Sequence, residues 1–135
     1  RKKGINTMSM NININDFRQT DYDGYLVNAN GDVLSIKGKE PKLVSQWERH
    51  GYKRVSLCEN GKQINVSVHR LVAMAFIDNP DSNTYTEINH KDEDKTNNNV
   101  NNLEWCTRIY NLNYGTRNKR SAETRRKNYK LRKAV

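Results

Sequence analysis

Apolar and polar residues alternate in short stretches through the first half of the chain, and a helical stripe follows them. Gly24-Tyr25-Leu26-Val27-Asn28 reads as a strand and Val33-Leu34-Ser35-Ile36 as its return. Between them Ala29-Asn30-Gly31-Asp32 holds Asn-Gly, the strongest two-residue hairpin signal. Lys37 to Pro41 is a loop. Tyr52 to Leu57 alternates again, and Glu59-Asn60-Gly61-Lys62 repeats the hairpin signal. Ile64, Val66 and Val68 then share one face of the returning strand. Residues 1 to about 20 are polar and rich in Asn, which predicts a poorly ordered or extended arm.

The periodicity changes at Val68. Val68, Leu71, Val72, Ala75 and Phe76 form one stripe of a short helix, and Asp78-Asn79-Pro80 ends it. After a loop, Glu87 to His90 is a short strand, Lys91 to Asn101 a polar loop, and Leu103, Trp105 and Thr107 alternate as a second strand. Arg108 to Tyr114 predicts a short helix that stops at Gly115. Ser121 is placed to cap a basic helix through Lys133, with Thr116 to Arg120 as its linker. The expected fold is therefore α+β. It has an arm over 1–20, a β-rich region over 21–67, a strand-loop-strand-helix core over 68–115 and a basic tail over 116–135.

Charge sharpens this division. The chain of 135 residues carries net +9, and the 29 residues from Thr107 to Val135 hold ten Lys and Arg against the single acid Glu123. The other 106 residues carry 14 bases and 14 acids. A neutral body with a cationic tail predicts a polyanion partner, and nucleic acid fits better than a membrane surface because the tail has no apolar face. The mean hydropathy of -1.05 agrees with the lack of any run long enough to span a bilayer. Arg1, Lys2 and Lys3 lead into no apolar stretch, so no secretory signal is expected. Cys58 and Cys106 are isolated, which argues against a zinc knuckle and for two free thiols in a reducing cytosol.

The chemistry concentrates in the second half. His90 ends a strand, and Asn102 and Asn111 follow at offsets of 12 and 9 residues. A neutral imidazole near its own pKa is a good proton acceptor at pH 7. Hydrolysis of a phosphodiester needs such an acceptor for the attacking water, together with charge neutralisation at the phosphate and the leaving oxygen.

The stretch from Val68-His69-Arg70-Leu71-Val72-Ala73 through Ile88-Asn89-His90-Lys91-Asp92, Lys95-Thr96-Asn97-Asn98 and Asn102-Leu103-Glu104-Trp105 to Asn111 resembles the phage and intron-encoded HNH, or ββα-metal, homing endonucleases. Gly24-Tyr25-Leu26-Val27-Asn28 and the residues to Ser35 resemble the small modular domain that often precedes HNH. Together the two cover roughly residues 20 to 118.

The resemblance implies that His90 is the general base and that Asn102 fixes the loop and the ring. It implies that Asn89 and Asn111 are the metal ligands, for one Mg²⁺ or Mn²⁺ per site. Many relatives carry Asp before the base, so two amides here imply a metal site completed by the DNA phosphate. Duplex DNA is the implied substrate, nicked on one strand by a monomer in the cytoplasm of a bacterial host, with no membrane and no small-molecule cofactor. Expected DNA contacts are His69 and Arg70 on the polar side of the first helix, Arg108, and Arg117, Lys119, Arg120, Arg125, Arg126, Lys127 and Lys130 in the tail. The bland reading of His69 and Arg70 is a solvated face. Trp105 and Tyr110 are expected in the core or as stacking platforms against the ββα helix, with the core preferred. The alternative function is a DNA-binding module without catalysis, and an RNA-binding role fits least.

Overall fold

A computed structural model describes residues 5–7 and 10–134. β1 (Ile5–Thr7) pairs antiparallel with β2 (Met10–Ile12), and a 3-10 turn over Ile14–Asp16 leads into β3 (Phe17–Gln19). β3 edges a four-stranded antiparallel sheet with β4 (Tyr25–Asn28), β5 (Val33–Ser35) and β6 (Lys42–Leu43). Residues 5–7, 10–12 and 17–19 thus form paired strands where a poorly ordered or extended arm was expected; residues 1–4, 8 and 9 lie outside the described part. Ile12 is buried with Leu26 and Leu34, and Ile14 and Phe17 pack against them. Three apolar residues scattered among Asn show no sequence period, yet together they cover one face of the sheet.

A second antiparallel sheet joins β7 (Trp47–Arg49), β8 (Tyr52–Glu59) and β9 (Lys62–Ser67), with Val55 opposite Val66 and Leu57 opposite Ile64. Its hairpin turn has Asn60 at φ 52° and Gly61 at φ 76°, the two left-handed residues that a tight hairpin requires. The first hairpin differs from its sequence signal. Its loop spans four residues, with Gly31 at φ 91°, and the Asn28 side-chain oxygen accepts from the N–H groups of Asn30 at 3.0 Å and Asp32 at 2.8 Å. That side chain holds the loop open beyond two residues.

α1 (Val68–Phe76) lies at the centre. Val68, Leu71, Val72 and Ala73 are buried against Tyr25, Val27 and Val33 of the first sheet, Val55 and Leu57 of the second, and Ile88 and Leu103 of the third. Full burial of each larger aliphatic side chain contributes about 1.5–3 kcal/mol. One core therefore runs across the expected boundary at residue 67.

β10 (Glu87–His90) and β11 (Leu103–Cys106) form a two-stranded antiparallel ladder, followed by α2 (Arg108–Asn113) and α3 (Arg117–Lys133). Thr107 caps α2, its hydroxyl accepting from Tyr110 N–H at 3.1 Å. α3 starts earlier than its sequence suggested: Thr116, not Ser121, is its N-cap residue, and the expected linker is its first turn. Both cysteines are free, Cys58 exposed and Cys106 buried.

Candidate active site

The ββα unit places its polar residues by register. Asn89 stands opposite Glu104 and His90 opposite Leu103, the last pair of the ladder. Glu87 and Asn89 share one face by strand alternation, the face on which α2 packs. On that face Asn89 Nδ2 donates to Glu104 Oε2 at 2.7 Å, and Asn111 Nδ2 of α2 donates to Glu87 Oε1 at 3.0 Å. Each carboxylate fixes one amide, and each amide keeps its oxygen available.

His90 is 5% exposed. Its Nε2 lies 2.8 Å from Asn98 Oδ1. An amide oxygen only accepts, so Nε2 carries the ring proton and Nδ1 is left as the acceptor. Asn98 is itself buried. Burial holds the His90 imidazole below its ordinary value, opposed by the Asn98 hydrogen bond and by Asp92 and Asp94. The ring is therefore neutral at pH 7.

Asn102 does not reach this ring, contrary to expectation. Its Oδ1 accepts from Asp92 N–H at 3.0 Å, and its Nδ2 donates to Asp92 Oδ1 at 2.8 Å and to Asn97 O at 2.9 Å. It fixes the loop, whereas Asn98 fixes the imidazole. The sequence offers no means to select Asn98 from a run of Asn at 97, 98 and 99; only its burial distinguishes it.

His69 also departs from its expected place on a solvated, phosphate-facing side. Its ring packs 5.2 Å from His90 and 5.3 Å from Tyr52. Burial, then His90, Arg70 and Arg54, lower its pKa to about 3. Its buried Nδ1 has no protein partner. An uncharged, inward-turned ring cannot act as a cationic phosphate contact. Arg70 is exposed, donates to Thr86 O at 3.3 Å and lies 5.9 Å from the centre of the Trp105 ring. Trp105 is half-buried and donates to Ile77 O at 2.9 Å, but Tyr110 is exposed, its hydroxyl 3.3 Å from Glu104, so it is not a core residue.

A cavity of about 210 Å³ opens at the end of β10. Asn89, His90 and Asn111 line it together with Lys95 from the loop. Glu93, Tyr114, Arg117 and Arg120 complete its wall. Nothing in the sequence singles out Glu93 or Tyr114 for the site, and Lys95 stands out only within the stretch that carries the resemblance. Arg108, Lys119, Arg125, Arg126, Lys127 and Lys130 are exposed and stand outside it.

The donor set suits a hard divalent cation, which takes oxygen ligands, but only weakly, since the two amides contribute no formal charge. Among the described residues no cluster of three His, Cys, Asp or Glu side chains could hold a metal. Glu87 and Glu104 stand behind the amides and orient them, the usual place for outer partners of metal ligands.

A strand, a loop, a second strand and a helix that bring His90 and Asn111 to one cavity define a ββα unit. No family model matches the chain. An uncharacterised HNH endonuclease of Acanthamoeba polyphaga mimivirus is 41% identical over 90 residues, 67% of this chain and 26% of that protein. The DNA endonuclease I-HmuI of Bacillus phage SP01 is 38% identical over 92 residues, 67% of this chain and 51% of that protein. The H-N-H endonuclease F-TflII of Escherichia phage T5 is 34% identical over 88 residues, 65% of this chain and 45% of that protein. The solved structure of the HNH homing endonuclease I-HmuI, described as DNA binding and cleavage by that enzyme, superposes with a TM-score of 0.60 at 34% identity. It covers 76% of this chain and 55% of its own. Over about two thirds of its length the chain is homologous to proteins named HNH endonucleases. It spans between about a quarter and a half of the curated relatives it matches.

Proposed function

We propose that this chain is a metal-dependent DNA endonuclease that nicks one strand of a duplex as a monomer. The observation that carries the reading is the convergence of Asn89, His90 and Asn111 on one cavity that Arg117 and Arg120 also line. The relatives' names support the same activity.

His90 Nδ1 takes a proton from the attacking water, while Asn98 holds the ring by Nε2. Burial keeps the imidazole neutral and ready to accept. Asn89 and Asn111 would hold Mg²⁺ or Mn²⁺ through their amide oxygens, kept in place by Glu104 and Glu87. A cation bound there would supply Lewis-acid neutralisation at the phosphate and the leaving oxygen. Lys95, Arg117 and Arg120 neutralise phosphate charge at the cavity, and the exposed cations of α3 hold the flanking backbone. Two neutral amides make metal binding depend on the DNA phosphate, so affinity for the ion without DNA is weak.

Conversion of supercoiled plasmid to open circle in Mg²⁺, Mn²⁺ or EDTA tests the reading. Nicking is expected with metal and not with EDTA. His90→Ala is expected to lower the rate by about 10²–10⁴-fold. Asn111→Ala is expected to lose cutting while keeping DNA affinity within a few fold. DNA binding with no nicking in either metal would instead mark a module that binds without catalysis.

A further inference from the structure

The loop after His90 contains a residue in an unfavourable backbone conformation. Glu93 has φ 65°, in the left-handed region that residues with a β-carbon resist. Its N–H closes a turn on His90 O at 3.0 Å. Its carboxylate oxygen Oε1 accepts from Thr116 N–H at 3.0 Å, from the Thr116 hydroxyl at 2.9 Å and from Arg120 Nη2 at 3.2 Å. Thr116 is the N-cap residue of α3, yet its side chain does not cap that helix; its hydroxyl is committed to Glu93. The Tyr114 hydroxyl donates to Lys91 O at 2.7 Å and fastens the same two segments a second time. Gly115 lies between them at φ 62°, where an ideal Cβ would stand 2.6 Å from Glu93 Cδ. The backbone thus passes so close to the carboxylate that a β-carbon at Gly115 would displace it.

We propose that Glu93 is a positioning residue for DNA cleavage. It clamps the start of α3 to the loop that follows His90, which holds Arg117 and Arg120 at the cavity and sends the basic helix away from a fixed point. The proposal rests on the nuclease reading above. A residue serving only DNA affinity would not be an acid at this place, since a carboxylate among Lys95, Arg117 and Arg120 repels phosphate. The arrangement is explained if aiming those arginines matters more than the charge given up.

Three variants separate the clamp from its alternatives. Glu93→Gly removes the carboxylate and suits the left-handed backbone. Glu93→Gln keeps an oxygen for Thr116. Gly115→Ala pushes the carboxylate away without changing it. In Glu93→Gly and Gly115→Ala, the rate at saturating DNA is expected to fall by about 10- to 100-fold with KM little changed. Glu93→Gln is expected to stay within a few fold of wild type. Amide hydrogen exchange in the metal-free protein reads the clamp without activity: residues 116–120 should exchange faster in Glu93→Gly and as wild type in Glu93→Gln. Unchanged exchange in Glu93→Gly overturns the clamp whatever the protein cuts. Faster exchange with an unchanged saturated rate overturns the positioning role. A wild type that cuts no DNA defeats the nuclease reading and the cleavage role of Glu93 with it, while the exchange experiment still decides whether the clamp exists.

Discussion

The single hydrogen bond from His90 Nε2 to Asn98 decides which ring nitrogen can act. Removing its acceptor frees the ring to rotate and to change tautomer. Asn98→Ala is expected to lower the saturated nicking rate by about 10- to 100-fold, the scale for losing a partner that orients a functional imidazole, with DNA affinity nearly unchanged. A fall in affinity that matches the fall in rate would defeat this role. The two buried imidazoles also tie stability to pH. Both rings are below their ordinary value in the folded chain, His69 at about 3. Between the unfolded value near 6.5 and the folded values, the unfolded chain binds more protons, so stability rises with pH there. It is complete above about pH 6.5 and declines on acidification, by up to about 1.4 kcal/mol per pH unit for each ring. Urea melts from pH 7 to 5 at fixed ionic strength check this, and His69→Gln should flatten the slope.

Among the elements, α3 is a long helix that folds without a core. None of its residues is buried, and it carries cations around its circumference. Charge on all sides suits a helix to a phosphate backbone better than to base edges. Deleting residues 121–135 is expected to change stability by less than about 0.5 kcal/mol. The same deletion should lower the slope of log K against log salt by several units, at about 0.9 for each phosphate no longer neutralised. Binding titrations between 50 and 200 mM salt would show it, and an unchanged slope would exclude the helix from the interface. The start of this helix also shows where the sequence misleads. Ser121 is a good cap residue, but Thr116 wins because Glu93, 23 residues earlier, binds it. Elements with periodic apolar positions, such as α1, β8 and the ββα order around His90, were legible. β3, with its one apolar residue Phe17, and the pairing of Asn98 with His90 were not, because each depends on a partner distant in the chain or hidden in a run of like residues.

At the scale of the whole molecule, one core joins three sheets through α1. Leu57 belongs to β8, does not line the cavity, and is fully buried. Leu57→Ala is expected to cost about 2–5 kcal/mol. Unfolding followed through Trp47 in β7 and through Trp105 in β11, using variants that each keep one of these, should give coincident transitions. Separate transitions would show two independently folding units. The first hairpin is joined to the site in a further way. Val100 N–H donates to Ala29 O at 2.8 Å, Asn99 Nδ2 donates to Asn30 Oδ1 at 2.9 Å, and a β-carbon at Gly31, itself at φ 91°, would press to 3.0 Å from Asn98 Cβ. That turn braces the very stretch from which Asn98 reaches His90. Transplanting the ββα unit alone would leave Asn98, and through it the His90 ring, without this brace. A piece that keeps the His90 geometry therefore begins upstream of Tyr25, with the hairpin included.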